Sequence, residues 1–261
     1  MPRYRLTLEY AGTRYSGWQI QKNARTIQGE LHRALEGVLG GRRFETYGSG
    51  RTDAGVHALA QVAHLDAATL PPPVSLVRDV NDALPADINV LAAERVQPKF
   101  HARHSAVARS YLYQIALRRT AFAKPYVWWV KDPLDLDEMR AAAAALTGFG
   151  DFRAFTDADP EEQSTRVLVD EVAVARDGSL VLVRVVGSHF LWKMVRRIVG
   201  VLVETGRGAL PAARVGTLLS SDSALPPKLT APASGLFLER VFYEEDDRMQ
   251  ELKPAVLRLD Q

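Results

Sequence analysis

The residues FETYGSGRTDAGVHALAQVAHL, numbers 44–65, place a glycine-rich loop between two runs of strand-forming residues. The first run is rich in aromatic and β-branched residues and the last alternates in polarity, so both are predicted to be strands. The three glycines between Gly48 and Ala58 permit backbone conformations that other residues rarely adopt. We therefore predict an exposed, shaped loop that holds Asp53 on a tight connection.

In this loop Arg51 precedes Asp53 and His57 follows it. Basic residues on both sides of the carboxylate favour a reactive role for it. The residues TDAG at 52–55 are equally typical of a solvated β-turn, with Asp early and Gly at the fourth position. The loop alone leaves both interpretations open. Features elsewhere in the chain decide between them.

The composition limits the class of protein. With 261 residues, 47% of them hydrophobic, the chain is long enough for one large domain or two fused halves with a sizeable core. The absence of cysteine excludes disulfides and thiolate metal sites. The N-terminal residues show no apolar signal core, and no run reaches the roughly 18 to 20 apolar residues of a membrane span. These features predict a soluble, cytoplasmic protein without a membrane partner.

The net charge of +2 conceals an uneven distribution. Residues 95–131, here called the basic stretch, contain eight Lys or Arg, seven Phe, Tyr or Trp, and no Asp or Glu. Basic side chains neutralise phosphates and aromatic rings stack on unpaired bases, so the stretch indicates an RNA-binding surface. The alternative is that these charges coat unrelated solvated faces, because neighbours in sequence need not be neighbours in space.

The periodicity of apolar residues predicts the order of helices and strands. Strands are predicted at Tyr4–Tyr10, Ile88–Val96, Val107–Leu117 and Gly235–Tyr243, with a hairpin of Arg166–Ala175 and Leu180–Val186. Helices are predicted from Thr26 to Gly40, from Ser75 to Leu84, around Leu136–Leu146, from Phe190 to Glu204 and from Pro211 to Leu219. The polar residues Gly148–Ser164 are predicted to form a long loop.

This order predicts an α+β fold of two similar halves, each a mostly antiparallel sheet backed by helices, with an active-site cleft between them. The predicted boundaries are 1–105 for the N-terminal half, 106–245 for the C-terminal half and 246–261 for a charged tail. The N-terminal half carries Asp53. The C-terminal half carries Tyr111 and Arg196.

Arg196 has unusual surroundings in the predicted helix from Phe190 to Glu204. The helix's own apolar side chains cover most of its circumference. Lys193, Arg197 and Glu204 are assigned to the remaining strip, which is predicted to face solvent. Arg196 instead falls beside apolar and small residues. Because a guanidinium in such surroundings is unfavourable unless it pairs with an anion, we expect a carboxylate or phosphate opposite Arg196.

Several kinds of catalysis are poorly supported by the sequence. His101 and His104 are only three residues apart and no acidic cluster has ligand spacing, so no metal site is predicted. Serine-nucleophile motifs and Walker-type loops are missing. The pair Gly48 and Gly50 lacks the rest of a dinucleotide fingerprint, so no cofactor is predicted either.

Gly50–His57, with the sequence GRTDAGVH, resembles the active-site loop of the TruA family of tRNA pseudouridine synthases. Further similar segments are Tyr15–Trp18, Asp87–Ile88, Phe100–Arg103, Ala108–Tyr113, Phe190–Gly200 and Gly235–Leu238. The similarity extends roughly from Tyr4 to Tyr243.

The resemblance implies that uridine is isomerised to pseudouridine in the anticodon arm of tRNA, at positions 38, 39 and 40, by a homodimer without a cofactor. It assigns Asp53 as the catalytic residue and Tyr111 as the residue that stacks on the target base. It further assigns Arg196 as the basic partner of the aspartate and Arg51 as an arginine that displaces the base.

Three residues depart from the pattern of that family: His104, Ser110, and Arg197 where asparagine is common. Taken singly, Tyr111 is also consistent with an ordinary strand aromatic and Arg196 with a surface charge. The alternative function is a non-catalytic RNA-binding module.

Overall fold

A computed structural model describes residues 1–157, 159, 164–248 and 251–255. The chain divides into two units. Unit 1 comprises Met1–Val107 and Leu238–Asp247, and unit 2 comprises Ala108–Phe237 and the described residues from Arg248 onward. Each unit is a mostly antiparallel sheet with helices, which confirms the predicted α+β class. The predicted boundaries at 105 and 245 stay a prediction, and residues 249–250 and 256–261 of the predicted tail lie outside the described residues.

Unit 1 is built around β3. Its elements are β1 (Arg3–Tyr10), α1 (Ile27–Val38), β2 (Phe44–Gly48), β3 (His57–Ala67), α2 (Pro73–Ala83), β4 (Ile88–Val96) and most of β10 (Leu236–Phe242). The sheet runs in the order β4, β1, β3, β10, and β2 also pairs with β3. The pairs of β3 with β1 and with β2 are antiparallel.

The side chains of β1 and α1 explain how unit 1 folds. The alternate residues Tyr4, Leu6, Leu8 and Tyr10 of β1 are all buried, as its alternation predicts. Thr26 caps α1 by accepting a hydrogen bond from the N–H of Gly29 at 3.2 Å. The helix ends before Gly40 and Gly41, whose φ angles of +61° and +72° favour glycine. The helix predicted from Ser75 to Leu84 starts earlier than expected, because Pro73 already begins α2.

Unit 2 contains β5 (Ala108–Ala116), β6 (Trp128–Trp129), α3 (Leu136–Ala144), β7 (Gly148–Asp151), β8 (Arg166–Asp177), β9 (Leu180–Gly187), α4 (Met194–Gly206) and α5 (Leu225–Lys228). The sheet runs in the order β5, β9, β8, β7 with antiparallel neighbours, and β6 pairs with β5 in parallel. The predicted hairpin of β8 and β9 is confirmed. Its turn contains Gly178 with a φ of +56°.

Three sequence predictions in unit 2 are wrong in detail. The predicted loop Gly148–Ser164 begins with β7 and a 3-10 helix at Arg153–Phe155, because pairing with β8 and burial of aromatic rings order these polar residues. Residues 158 and 160–163 of that loop lie outside the described residues. The predicted helix from Pro211 is a 3-10 helix at Ala212–Leu218.

The helix α4 begins at Met194 rather than at Phe190, where the sequence predicted its start. Lys193 precedes it with a φ of +61°, a left-handed conformation that cannot continue an α-helix. Every residue of α4 except Arg196 and Glu204 is buried, so the helix is largely buried as predicted. No helix in the described ranges is long and apolar enough to span a membrane.

Candidate active site

The loop between β2 and β3, residues 49–56, is here called the Asp53 loop. Asp53 is half-buried, Arg51 is exposed and Thr52 between them is buried. The N–H of Val56 donates to the carbonyl of Asp53 at 3.1 Å, and Gly55 has a φ of +80°. A turn therefore closes directly after the carboxylate, as the sequence predicts.

Residues 11–18, here called the bracing segment, hold the Asp53 loop in place. The N–H of Trp18 donates to the carbonyl of Thr52 at 3.0 Å, and the N–H of Gly55 donates to the carbonyl of Tyr15 at 3.3 Å. The hydroxyls of Thr52 and Tyr10 are 2.9 Å apart and hydrogen bonded. Tyr15 and Trp18 are almost fully buried, so these aromatic residues pack within unit 1 and fix the loop.

Two glycines allow the bracing segment to lie close to the Asp53 loop and to the end of β2. Gly17 has a φ of +89°, and a Cβ at this position would lie 2.6 Å from the carbonyl oxygen of Thr52 and 3.2 Å from the carbonyl carbon of Asp53. A Cβ at Gly48 would lie 2.6 Å from the indole nitrogen of Trp18. Because real Cβ atoms essentially never lie closer than 3.0 Å to such atoms, the two 2.6 Å distances mean that only glycine fits at either position without a shift of its neighbours.

Two buried polar side chains of β3 add support. Gln61 donates from Nε2 to the carbonyl of Gly50 at 3.2 Å and accepts at Oε1 from the hydroxyl of Ser49 at 2.7 Å. His57 is 1% exposed, and its Nδ1 accepts from the N–H of Gly12 at 3.1 Å. The sequence did not single out Gln61, because a glutamine within a predicted strand gives no sign of whether it is buried. The central position of β3 buries it.

Asp87 anchors the bracing segment. Its carboxylate accepts from the hydroxyl of Tyr15 at 2.5 Å and from Nη2 of Arg14 at 2.7 Å, and its carbonyl accepts from the N–H of Ala11 at 2.9 Å. Burial alone would raise the pKa of the Asp87 carboxyl, but the hydrogen bonds from Tyr15 and Arg14 outweigh it, so the pKa lies below its ordinary value. Burial and Asp87 together raise the pKa of the Tyr15 phenol.

Tyr111 lies on β5, opposite Val185 of β9, and is half-buried. Its ring packs edge to face against Phe190, with the centroids 5.1 Å apart and the planes at 85°. Arg109, on the same face of β5, donates from Nη1 to the carbonyl of Ser188 at 2.9 Å. The segment that leads into α4 therefore fixes the orientation of Tyr111.

Residues 229–232, here called the strap, hold Arg196 through their backbone. Its Nε donates to the carbonyl of Ala231 at 2.7 Å, and its own carbonyl accepts from the N–H of Ala231 at 3.0 Å. Burial raises the pKa of the Tyr113 phenol, and the charge of Arg196 opposes that rise. Tyr113 itself is fully buried and donates to the carbonyl of Pro232 at 2.8 Å.

The prediction that Arg196 is the buried arginine and Arg197 the solvated one is wrong. Arg196 is half-buried, whereas Arg197 is 2% exposed and forms an ion pair with Asp157. Apolar residues surround most of α4, so its sequence does not determine which side the rest of unit 2 covers. Packing by the strap, which contacts Gly200, and by Asp157 decides the orientation.

The basic stretch is exposed over much of its length. In unit 1 its exposed Lys, Arg and His residues are Arg95, Lys99, Arg103 and His104. In unit 2 its exposed basic and aromatic residues are Arg118, Arg119, Phe122, Lys124, Trp129 and Lys131. The guanidinium of Arg119 lies 5.9 Å from the centre of the Trp129 ring, and Phe122 is 90% exposed. These are the residue types that contact phosphates and unpaired bases.

The four predicted site residues thus form two groups. Arg51 and Asp53 share one loop of unit 1, whereas Tyr111 and Arg196 lie in unit 2 on β5 and α4. The predicted contact between Arg196 and Asp53 joins residues of different units and stays a prediction. The described residues contain no group of three or more His, Asp or Glu side chains arranged to hold a metal ion.

Comparison with known proteins identifies similar chains. A family model described as tRNA pseudouridine synthase matches residues 7–105 and 142–244. A tRNA pseudouridine synthase A from Myxococcus xanthus is 42% identical over 248 residues, which cover 94% of this chain and 93% of that protein. A protein of the same description from Maricaulis maris is 43% identical over 251 residues, covering 93% and 98%, and one from Halalkalibacterium halodurans is 39% identical over 242 residues, covering 92% of both. Asp53 and Arg196 fall within the two ranges that match the family model, and Tyr111 lies in the unmatched residues between those ranges.

Proposed function

The chain belongs to the tRNA pseudouridine synthase family, a family of isomerases, and on this basis we propose that it converts uridine to pseudouridine in the anticodon arm of tRNA, at positions 38, 39 and 40. The observation that carries the proposal is the Asp53 loop, whose half-buried carboxylate lies in a turn fixed by hydrogen bonds on both sides. Such fixed geometry is what a catalytic carboxylate requires.

The reaction breaks the bond between N1 of uracil and C1′ of the ribose and joins C5 to C1′. The base gains a proton at N1 and loses the one at C5, so the isomerisation balances without a co-reactant. Three roles of Asp53 are compatible with this balance: attack on the base, attack on the sugar and removal of a ribose proton. Each role requires an ionised carboxylate near the reacting nucleotide.

Arg196 is proposed to keep Asp53 ionised. A guanidinium beside a carboxylate favours the charged form of the acid, which a nucleophile or base needs. The guanidinium of Arg196 is held in place by Ala231, so less conformational freedom is lost when it meets an anion.

Tyr111 and Arg51 are proposed to handle the target base. Extruding a nucleotide from its stack costs a few kcal/mol, and stacking on an aromatic ring contributes about 1 to 3 kcal/mol per base. Tyr111 is partly accessible, with an orientation set by Phe190. Arg51 is exposed only two residues from Asp53, which suits a side chain that takes the place of the displaced base.

The basic stretch is proposed to hold the phosphates of the tRNA. Its exposed basic and aromatic residues would then make binding strongly dependent on salt. We further propose that the protein acts in the cytoplasm as a homodimer, as the resemblance to its family implies.

A direct test incubates the protein with an unmodified tRNA transcript labelled with tritium at uridine C5. The proposal predicts release of tritium, and pseudouridine mapped at positions 38 to 40. The alternative, a non-catalytic RNA-binding module, predicts binding of the same tRNA without release. Pseudouridine at other positions would contradict the proposed site on the tRNA and leave the reaction intact.

A further inference from the structure

Asp157 connects two parts of unit 2. It follows the 3-10 helix Arg153–Phe155, and its carboxylate reaches the start of α4. One oxygen accepts from Nζ of Lys193 at 2.8 Å and the other accepts from Nη2 of Arg197. Lys193 immediately precedes α4 and Arg197 is its fourth residue, so Asp157 bridges the first turn of the helix. Arg196 lies within this turn.

The burial of Arg197 makes this bridge important. Arg197 is 2% exposed, and Asp157 is its ion-pair partner among the described residues. Within the same residues, Nε and Nη1 of Arg197 have no hydrogen-bond partner. Asp157 itself is 36% exposed, but removing its charge leaves the buried guanidinium of Arg197 uncompensated, which is strongly unfavourable. The first turn of α4 would therefore rearrange if Asp157 lost its charge.

The conformation of Lys193 also depends on its surroundings. Its φ of +61° and ψ of +1° define a left-handed backbone conformation. Residues other than glycine rarely adopt this conformation. Such a conformation persists only when neighbouring contacts hold it. Here the ammonium group contacts both the carboxylate of Asp157 and the ring of Trp192, whose centre is 4.3 Å away. These contacts set the point at which α4 begins.

We propose that Asp157 is a positioning residue for the reaction, which acts through Lys193 and Arg197 to fix the first turn of α4 and with it the guanidinium of Arg196. The inference rests on the proposed function, in which Arg196 acts on the reacting carboxylate. Because that role concerns the chemical step, loss of Asp157 lowers kcat while the KM for tRNA changes little.

The test compares Asp157→Asn with Asp151→Asn, a matched control in the same segment. Asp151 accepts from the hydroxyl of Thr165 and from Nη2 of Arg153, both at 2.6 Å. Its substitution therefore perturbs the same segment but leaves in place the carboxylate that contacts the first turn of α4. We expect Asp157→Asn to lower kcat by about 10- to 100-fold, as a small misplacement of a catalytic group does, and Asp151→Asn to leave kcat unchanged. A kcat for Asp157→Asn within twofold of the wild type, measured well below its melting temperature, overturns the proposal.

A double variant distinguishes positioning through Arg197 from a general loss of structure. Replacing Arg197 by Met removes the buried charge, so Asp157→Asn with Arg197→Met is expected to recover several-fold in kcat over Asp157→Asn alone. Failure to recover would show that Asp157 does not act through Arg197.

Amide hydrogen exchange tests the clamp independently of activity. In Asp157→Asn, the amides of residues 194–198 are expected to exchange at least about tenfold faster than in the wild type, whereas Asp151→Asn leaves them unchanged. If the wild type forms no pseudouridine, the proposed function fails while this measurement still tests the role of Asp157. Unchanged exchange in Asp157→Asn refutes that role.

Discussion

Substitution of Gly17 by alanine changes the bracing segment and perturbs the Asp53 loop, while the residues of the loop stay unchanged. The new Cβ would lie 2.6 Å from the carbonyl oxygen of Thr52, so the two backbones must separate by roughly half an ångström or more to restore normal contact. The φ of +89° adds strain of about 1 to 2 kcal/mol for a residue with a side chain. Asp53 directly follows Thr52, so the displacement reaches the carboxylate.

The expected result is a loss of both stability and turnover. Strain and clash together should cost about 2 to 4 kcal/mol, which lowers the melting temperature by about 5 to 15 °C in a chain of this size. A misplacement near 1 Å lowers turnover by up to about 100-fold, so we expect kcat to fall by about 10- to 100-fold. Thermal unfolding and tritium release from tRNA measure the two effects separately.

Gly40→Ala is the matched control. Gly40 has a φ of +61°, and no other atom lies within 4 Å of a Cβ built there, so the substitution introduces strain without a clash. It should lower stability by about 1 kcal/mol and leave kcat unchanged. If Gly17→Ala had the turnover of Gly40→Ala, the bracing segment would not position Asp53.

Three further predictions concern other parts of the chain. Arg196→Met should lower kcat by at least about 100-fold, whereas Met in place of the exposed Arg166 should have no effect; wild-type rates across pH would exclude the proposed role of Arg196. Burial, with the charges of Arg3 and His101, lowers the pKa of His64 from 6.5 to about 4. Between these pH values His64 is protonated in the unfolded chain and neutral in the folded one, so the stability of the fold should decrease as pH drops from 6.5 towards 4. His64→Asn, which keeps an acceptor for the N–H of Ala102, should flatten that fall in urea titrations, and an unchanged slope would contradict it. Replacing Arg118 and Arg119 by Gln should reduce the slope of log affinity for tRNA against log salt by about 1.4 to 1.8, and an unchanged slope would exclude these residues from phosphate contact.

Local patterns predicted much of the fold. The alternation in β1, the capped stripe of α1 and the turn at Gly178 each depend on a few neighbouring residues, so the sequence contains what determines them. The strand β7 was missed because its residues have little strand propensity and are ordered by pairing with β8. Element boundaries set by tertiary contacts, such as the start of α4 at Met194, are beyond such patterns.

The candidate site was predictable to a similar degree. A glycine-rich turn around Asp53 follows from the residues themselves, and the structure has that turn. The supports of the loop, such as Gln61 and Tyr10, were not predictable because polar or aromatic residues within strands give no sign of which groups they contact. The prediction that Arg196 rather than Arg197 is buried failed for a similar reason. Only the packing of distant segments determines which face of a largely apolar helix is covered.

The central claim is that the carboxylate of Asp53 carries out the isomerisation. It is tested most directly by single-turnover release of tritium from C5-labelled tRNA, with the wild type and Asp53→Asn at concentrations where all the tRNA is bound. Asp53→Asn is expected to bind tRNA with an affinity close to that of the wild type and to release no tritium. Release at the wild-type rate would contradict the central claim.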